Sequence, residues 1–419
     1  MQEIKRLAII STHPVQYYAP LFKLLHERSE ISIKVYYTWG EQSLKKHDPG
    51  FDRDVEWDLP LLEGYPYEWA VNVSSDPGTH HFGGIKTPGL IKQVLSFNPD
   101  ALLVFGWAYQ SHLALIRHFS GKTPIYFRGD STLLDQTGFL KRLLKKIWLS
   151  WVYSYIDHAF YTGLRNKEYF MYFGLTEDQL SFAPHAVDNA RFAENREKEA
   201  NQIRDKFNLN DKDILILFAG KLESKKDPQI LLKAFVELRK PRVHLLFVGN
   251  GSLEKELKSL VHTSTSLHTS TPLHTSAPLS GTAENQTESF QITNQVHFMD
   301  FQNQTQMPVI YQACDLFCLP SKGPGETWGL AVNEAMACGK AVLASDKAGS
   351  GIDLVIAGKN GGAFTAGDTV DLKDKLDQLS NARNTLVECG KHSAEIIKDW
   401  NFISIAFAIE NHLKNEPQR

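Results

Sequence analysis

Residues 323–346 read GPGETWGLAVNEAMACGKAVLASD and place two glutamates, Glu326 and Glu334, eight positions apart. Between them stand a tryptophan, a glycine and a run of small apolar residues. Upstream, Leu316 to Pro320 reads as the end of a buried strand, and SKGPG as a turn. The small-residue run predicts a helix that starts near Thr327 to Gly329, runs through Cys338 and stops at Gly339. AVLASD gives the next strand. A strand–turn–helix–strand unit belongs to a parallel sheet, whose carboxyl edge receives the unpaired N–H groups of the helix start. Glu334 lies about two turns beyond Glu326, roughly 12 Å along the axis. That span suits a ligand with two hydroxyl-rich ends and phosphates between them, because an ionised carboxyl accepts from vicinal hydroxyls. Alone, the spacing does not outweigh a plainer reading. In that reading Glu326 favours the helix dipole and Glu334 is a solvated helix residue.

The same grammar runs outward through both halves. The first has the apolar runs RLAIIS, IKVYYTW, ALLVFG, PIYFRG and HAFYTG, with helical patterns such as VQYYAPLFKLLHER between them. The second has ILILFAG, HLLFVGNG, VHFMDF, DLFCLPS and AVLASD, separated by LLKAFVELR, SLEKELKSL and GLAVNEAMACG. Continuous apolar strands alternating with helices predict parallel sheets covered on both faces. The expected fold is α/β, with two doubly wound, Rossmann-like domains. The polar, strand-free stretch around 190 to 210 sets the boundary, giving domains 1–195 and 196–395. A terminal amphipathic helix within 396–419 is expected to cross back to the first domain. Residues 262–279 are three consecutive hexapeptides, HTSTSL, HTSTPL and HTSAPL. With its polar continuation this segment, 262–292, reads as a disordered insertion. His262, His268 and His274 offer weak metal ligands, and a replicated loop without a role is the preferred reading.

The chain has 419 residues, with 45 basic and 48 acidic side chains and a formal net charge of -3. That balance supplies no field for nucleic acid. The N-terminus MQEIKRLAIISTHPVQYY lacks the apolar stretch and cleavage site of a signal peptide. No stretch approaches about 18 apolar residues, so no membrane-spanning helix is expected. The expected location is cytoplasmic, with a peripheral contact at the inner face of the plasma membrane left open. Cys314, Cys318, Cys338 and Cys389 match no zinc spacing and read as buried small hydrophobes.

Two further segments bear on chemistry. In GKLESKKDPQILLKAF, residues 220–235, Lys221 leaves a strand and Lys226 precedes a helix marked by Asp227 and Pro228. Two cations at such a junction suit a diphosphate; a solvated basic loop is the common alternative. FVGNGSLEKEL, residues 247–257, has Gly249 and Gly251 in a strand-to-helix turn, but Glu254 stands where a dinucleotide fingerprint needs glycine. A nicotinamide cofactor is therefore disfavoured. The turn either lets a nucleotide approach the backbone or is purely structural.

Taken together these motifs resemble the GT-B glycosyltransferases, and specifically the retaining glycosyltransferase family 4. The resemblance is nearly continuous from 214 to about 368 and closes with NGGAFTAGD. It implies two Rossmann-like domains facing across a cleft, a nucleotide-sugar donor and no metal. It also implies roles by position. Glu326 would contact the donor sugar and Glu334 the ribose, while Lys221 and Lys226 would hold the diphosphate. The backbone at Trp328, Gly329 and Leu330 would face sugar and phosphates. Lys221 departs from the family's usual arginine, losing the bidentate fork but keeping the charge. The first half matches less well. STHPVQYYAPL, residues 11–21, puts His13 and Gln16 in a loop used near the acceptor and phosphates, without the usual glycine pair. FRGDST, residues 127–132, offers Arg128 and Asp130 where many members have histidine; they pair with each other or contact donor and acceptor. His185, in APHAVDNARF, stands in the family's asparagine position.

The implied function is transfer of a sugar to a glycan or lipid-linked acceptor, in bacterial surface polysaccharide synthesis. Competing readings are a non-catalytic nucleotide-sugar or glycan-binding protein and a nucleotide-sugar 2-epimerase. The epimerases share the architecture but not this C-terminal motif set. Finally, residues 140–156, LKRLLKKIWLSWVYSYI, combine four cations with two tryptophans and two tyrosines. They read either as an interfacial helix on anionic lipid or, preferably, as a domain helix with a basic outer face and a buried aromatic face.

Overall fold

The computed structural model describes residues 4–48, 50–51, 53–134, 138–266 and 292–416. In the first half, β1 (Arg6–Ser11) and β2 (Ser32–Tyr37) precede a short antiparallel hairpin of β3 (Lys46–Asp48) and β4 (Arg53–Val55). Then come β5 (Tyr67–Trp69), β6 (Ala101–Phe105), β7 (Ile125–Arg128), β8 (His158–Tyr161) and β9 (Leu180–Phe182). Apart from the hairpin these form one parallel sheet in the order β5-β2-β1-β6-β7-β8-β9. In register, Leu7 lies between Ile33 and Ala101.

The second half repeats the plan with β10 (Ile214–Ala219), β11 (Val243–Val248), β12 (Val296–Met299), β13 (Leu316–Leu319), β14 (Ala341–Ser345) and β15 (Gly361–Phe364). Their order is β12-β11-β10-β13-β14-β15, again parallel. Strands read as unbroken apolar runs because helices cover both sheet faces. Alternate residues serve alternate cores: Ile214, Ile216 and Phe218 enter one cluster, Leu215, Leu217 and Ala219 the other. Leu7 and Ile9 are likewise separated from Ala8 and Ile10. Both sheets reverse strand order beside their first strand, between β1 and β6 and between β10 and β13. Connections leave to opposite faces there, opening a crevice at the carboxyl ends of the strands.

The chain passes between cores ahead of residue 195. Ala183 and Ala186 pack with the first half, whereas Val187 and Phe192 pack with the second. It returns after Trp400, which packs on the second half. The terminal helix Phe402–Asn415 then places Ile405, Ala406, Ile409 and Leu413 in the first core. Most of the 262–292 insertion lies outside the described residues, His268 and His274 among them. At its edges the reading was too generous. A helix continues through Glu254–Ser266, taking in exposed His262, and Ile292 is a buried core residue.

The helix Phe139–Tyr153 overturns the preferred reading of its faces. Leu149, Val152 and Tyr153 are buried, but Phe139, Leu140, Leu144 and Ile147 all point to solvent. The apolar half faces out over most of its length, while on the opposite side Lys145 and Lys146 lie over the rings of Tyr169 and Tyr172 on the neighbouring helix Leu164–Tyr172.

Candidate active site

Between the carboxyl edges of the two sheets lies a cavity of about 460 Å³, lined from both halves. The turn after β13 brings Glu326 into it, and the turns after β10 and β11 bring Lys221, Lys226 and Gly249. From the first half, Gln16 and Asp130 enter at the ends of β1 and β7. Trp328, Gly329, Leu330 and Glu334 complete the wall.

The helix beyond Glu326 begins later than expected, at Ala331, and ends at Ala337. Gly329 interrupts it: its φ of +91° is a left-handed conformation that side-chain-bearing residues disfavour. The loop is held from behind, where Ser350 Oγ donates to the Trp328 carbonyl at 2.6 Å. Trp328 itself is buried, with its ring against Trp400 and its Nε1 donating to Asn333 Oδ1 at 2.8 Å. The Glu326 carboxylate accepts from Ser321 Oγ at 3.1 Å and forms an ion pair with Lys226.

Glu334 is not a solvated helix residue. It is 4% exposed and accepts from Tyr17 Oη at 3.0 Å and Tyr311 Oη at 2.8 Å. Burial drives its carboxyl above the ordinary carboxylate range, against the lowering effect of both hydroxyls and of Arg191. The same burial, with Glu334 beside them, pushes both tyrosines well above their usual value.

Lys221 reaches across the cleft to Asp48 Oδ1 at 2.7 Å and lies over the Phe51 ring. Desolvation opposes ionisation of Asp48, but Lys221 and the Gly50 and Phe51 amides outweigh it and hold the carboxyl below its usual range. Asp130 accepts from Thr327 Oγ1 at 2.7 Å. Desolvation pulls its carboxyl up; His185 and Thr327 outweigh that and bring it down to about 2. The ring of His185 is buried, and its Nε2 stands 3.7 Å from Asp130 Oδ2, beyond hydrogen-bond reach. Desolvation lowers the His185 pKa, leaving the imidazole neutral near pH 7.

Three predicted residues fall elsewhere. Arg128 does not pair with Asp130 or face the cavity: it is buried, and its guanidinium donates to the carbonyls of Ala183 and Pro184 at 2.8 Å each. It thereby fixes the loop that carries His185. His13 lines an adjoining pocket with Trp57, its Nδ1 2.9 Å from Thr12 Oγ1 and its ring edge-on to Trp39. Gly251 lines a neighbouring groove with Asn250 and Arg53, whereas Gly249 stays in the cleft. Both glycines are required sterically: a Cβ on Gly249 would sit 2.1 Å from the Gly220 carbonyl oxygen, and one on Gly251 2.6 Å from that of Leu222.

Sequence reasoning missed Tyr17, Tyr311, Asp48 and Thr327. Tyr17 lay within the singled-out HPVQYYAPL, but nothing local distinguishes it from Tyr18. It also missed Asp76, His80 and His81, an exposed group whose ligand atoms lie within 4.8 Å of one another. These three pair among themselves through the two imidazoles and the Asp76 carboxylate.

Two facing doubly wound domains with this cleft define the GT-B architecture. Anabaena HepE in complex with UDP has the same fold over 99% of this chain and 100% of its own, with a TM-score of 0.70 at 17% identity. Sucrose-phosphate synthase from Thermosynechococcus elongatus matches 98% of each chain, with a TM-score of 0.68 at 15% identity. Residues 199–266 and 278–395 match the family model described as glycosyl transferases group 1. That match covers most of the second half of the chain and less than half of the whole, and makes this half similar to that family. Among curated proteins it is similar to D-inositol 3-phosphate glycosyltransferase of Rhodococcus erythropolis, 27% identical over 220 residues. The protein of that name from Corynebacterium jeikeium is 26% identical over 247 residues. The matches span 52% and 57% of this chain, and about half of the relatives' own length, 44% and 52%.

Proposed function

We propose that the protein transfers a sugar from a nucleotide-sugar donor to a glycan or lipid-linked acceptor, with retention at the anomeric carbon and without a metal. One observation carries the reading: the cleft gathers Lys221, Lys226, Glu326 and Glu334 around a single cavity at the strand-order reversal. The buried Glu334 carboxylate is placed to take the ribose hydroxyls. Lys221 and Lys226 face the diphosphate, exchanging Asp48 and Glu326 for phosphate oxygens. A neighbour of the same fold, HepE, solved in complex with UDP and with UDP-glucose, supports a uridine nucleotide.

In the transfer, the bond between anomeric carbon and diphosphate oxygen breaks, and its electron pair leaves with the diphosphate. The two lysines stabilise that growing charge in a site already organised for it. The acceptor hydroxyl attacks from the same face, and its proton passes to the departing diphosphate oxygen. Asp130, ionised and hydrogen-bonded to Thr327, is placed beside the sugar cation. A role at the inner face of the plasma membrane, in polysaccharide assembly, fits a lipid-linked acceptor. Among the described residues no helix is long and apolar enough to cross a membrane.

The test is release of nucleoside diphosphate from UDP-, GDP- and ADP-sugars by wild type and by Glu326→Gln. Release from one donor class, lost in the variant, is expected. No release from any donor, or equal release by the variant, would sink the proposal.

A further inference from the structure

We infer that the helix Phe139–Tyr153 is a docking surface for an anionic lipid bilayer, its apolar half inserted among the acyl chains. Successive helical positions turn by about 100°. Phe139, Leu140, Leu143, Leu144, Ile147 and Trp148 therefore share one half of the cylinder. All six are exposed, between 45% and 73%. A soluble domain helix turns such a half toward its core; this one turns it away, with only Leu149, Val152 and Tyr153 buried on the other side. Contiguous exposed apolar surface on this scale marks an interaction site.

The charges identify the occupant. Lys141 and Lys146 border the apolar half on its two sides, with Arg142 and Lys145 behind them, and all four are exposed. The helix carries no acidic residue. Long cationic side chains beside an inserted apolar face reach lipid phosphates while their stems stay in the apolar layer. Trp148 and Trp151, with ring centroids 4.9 Å apart, sit at the far end of the helix, as amphipathic rings do at a headgroup boundary. A second copy of the chain is a poor occupant. A two-fold contact would bring this face against itself and set its cations against each other.

The placement links docking to the cleft. Phe139 follows Asp130 by nine residues, and Lys347 of the second half donates to the Leu134 carbonyl at 3.1 Å on the way. A bilayer held by this helix would meet the chain a few residues beyond the strand end that carries Asp130 into the cavity. The docking rests on the helix itself; only its use, delivery of a lipid-linked acceptor, rests on the proposed function.

The test is pelleting of the full chain with vesicles, without nucleotide sugar, at about 0.15 M salt. Vesicles are pure phosphatidylcholine, or contain about 30% phosphatidylglycerol. Wild type is expected to partition onto the anionic vesicles more than tenfold better, at about fivefold per cation engaged. Leu144→Glu with Ile147→Glu abolishes pelleting and leaves the melting temperature unchanged, since both side chains are solvent-exposed. Lys141→Gln with Lys146→Gln removes roughly 25-fold of the anionic preference. Wild type that stays in the supernatant, or a double-glutamate variant that pellets like wild type, overturns the inference. So does a dimer in sedimentation velocity that the glutamates abolish while lipid binding is absent. Vesicle binding without nucleoside diphosphate release would leave docking standing and fell the proposed function alone.

Discussion

Replacing Glu334 by glutamine separates binding from folding at the cleft. The wild-type carboxylate takes one tyrosine hydroxyl on each oxygen, at 3.0 and 2.8 Å. A carboxylate has about four lone-pair sites, and with Gln304 also bearing on this carboxyl acceptor capacity still remains for ligand hydroxyls. Glutamine keeps the shape but offers a single acceptor oxygen and no charge. A hydrogen bond to a charged group contributes about 1.5–3 kcal/mol, against about 1 for a neutral pair. Losing the charge on two ligand bonds and one acceptor predicts about 2–3 kcal/mol weaker nucleotide binding, roughly 30- to 150-fold in Kd. Folding responds in the opposite sense. The folded carboxyl has its pKa above the unfolded value because burial disfavours the charge. The stability it contributes is therefore present below the unfolded value and lost as pH rises through the folded one. Wild type carries the cost of a buried charge at neutral pH, and glutamine does not. Titration calorimetry with UDP should show the affinity loss. Urea unfolding at about pH 5 and about pH 8 should show Glu334→Gln no less stable than wild type at the higher pH, with a flatter pH dependence. UDP binding at wild-type strength would refute the ligand role of Glu334. A loss of several kcal/mol at the higher pH would refute the burial argument, making the carboxylate a structural acceptor for two tyrosines.

Elsewhere, Asp315→Ala strands the buried Arg204, which pairs with it at 3.0 Å, and removes the acceptor of Arg383 and of the Leu215 amide; denaturant titration should show a loss of about 3–5 kcal/mol. His112 is buried against Thr38 and the Gly106 carbonyl, and burial pushes its pKa down to about 4. The unfolded chain takes up that proton first, so stability falls by about 3 kcal/mol as pH drops from about 6.5 to about 4; His112→Gln should flatten the curve in that window, and an unchanged slope would disprove the assignment. Lys221→Met should lower sugar transfer by roughly 10²–10³, and Lys221→Arg should restore most of it, since the charge is what faces the diphosphate; equal rates in both variants would place the role in Asp48 packing instead. Gly249→Ala needs a Cβ 2.1 Å from the Gly220 carbonyl at φ +131°, so it should cost more than about 1–3 kcal/mol and shift the cleft wall, checked by thermal melting and UDP affinity together.

What could be read from the chain alone follows from what is local. RLAIIS and ILILFA are legible as strands because both faces of each are covered, so no polar residue breaks the run. The two motif glutamates are legible because Gly329 and the small residues after it specify a turn and a helix. Their partners are not: Tyr17 meets Glu334 across 317 residues, and no local pattern carries that pairing. Arg128 was legible as a charged residue at a strand end, a common place for a ligand group. Its burial follows from the carbonyls of Ala183 and Pro184, which only the finished sheet brings within reach. The helix Phe139–Tyr153 shows the limit most plainly. An amphipathic pattern specifies the angle between two faces and leaves their direction to the neighbours. Here the rings of Tyr169 and Tyr172 offer π faces to Lys145 and Lys146 respectively, worth about 0.5–1 kcal/mol each near the surface. Three residues at the end of the helix supply its buried contact. Neither contribution outweighs leaving six large apolar side chains in water, at about 25 cal/mol per Å² of apolar surface. The orientation is therefore costly for a helix surrounded only by water, and a bilayer is the surrounding in which that cost is recovered.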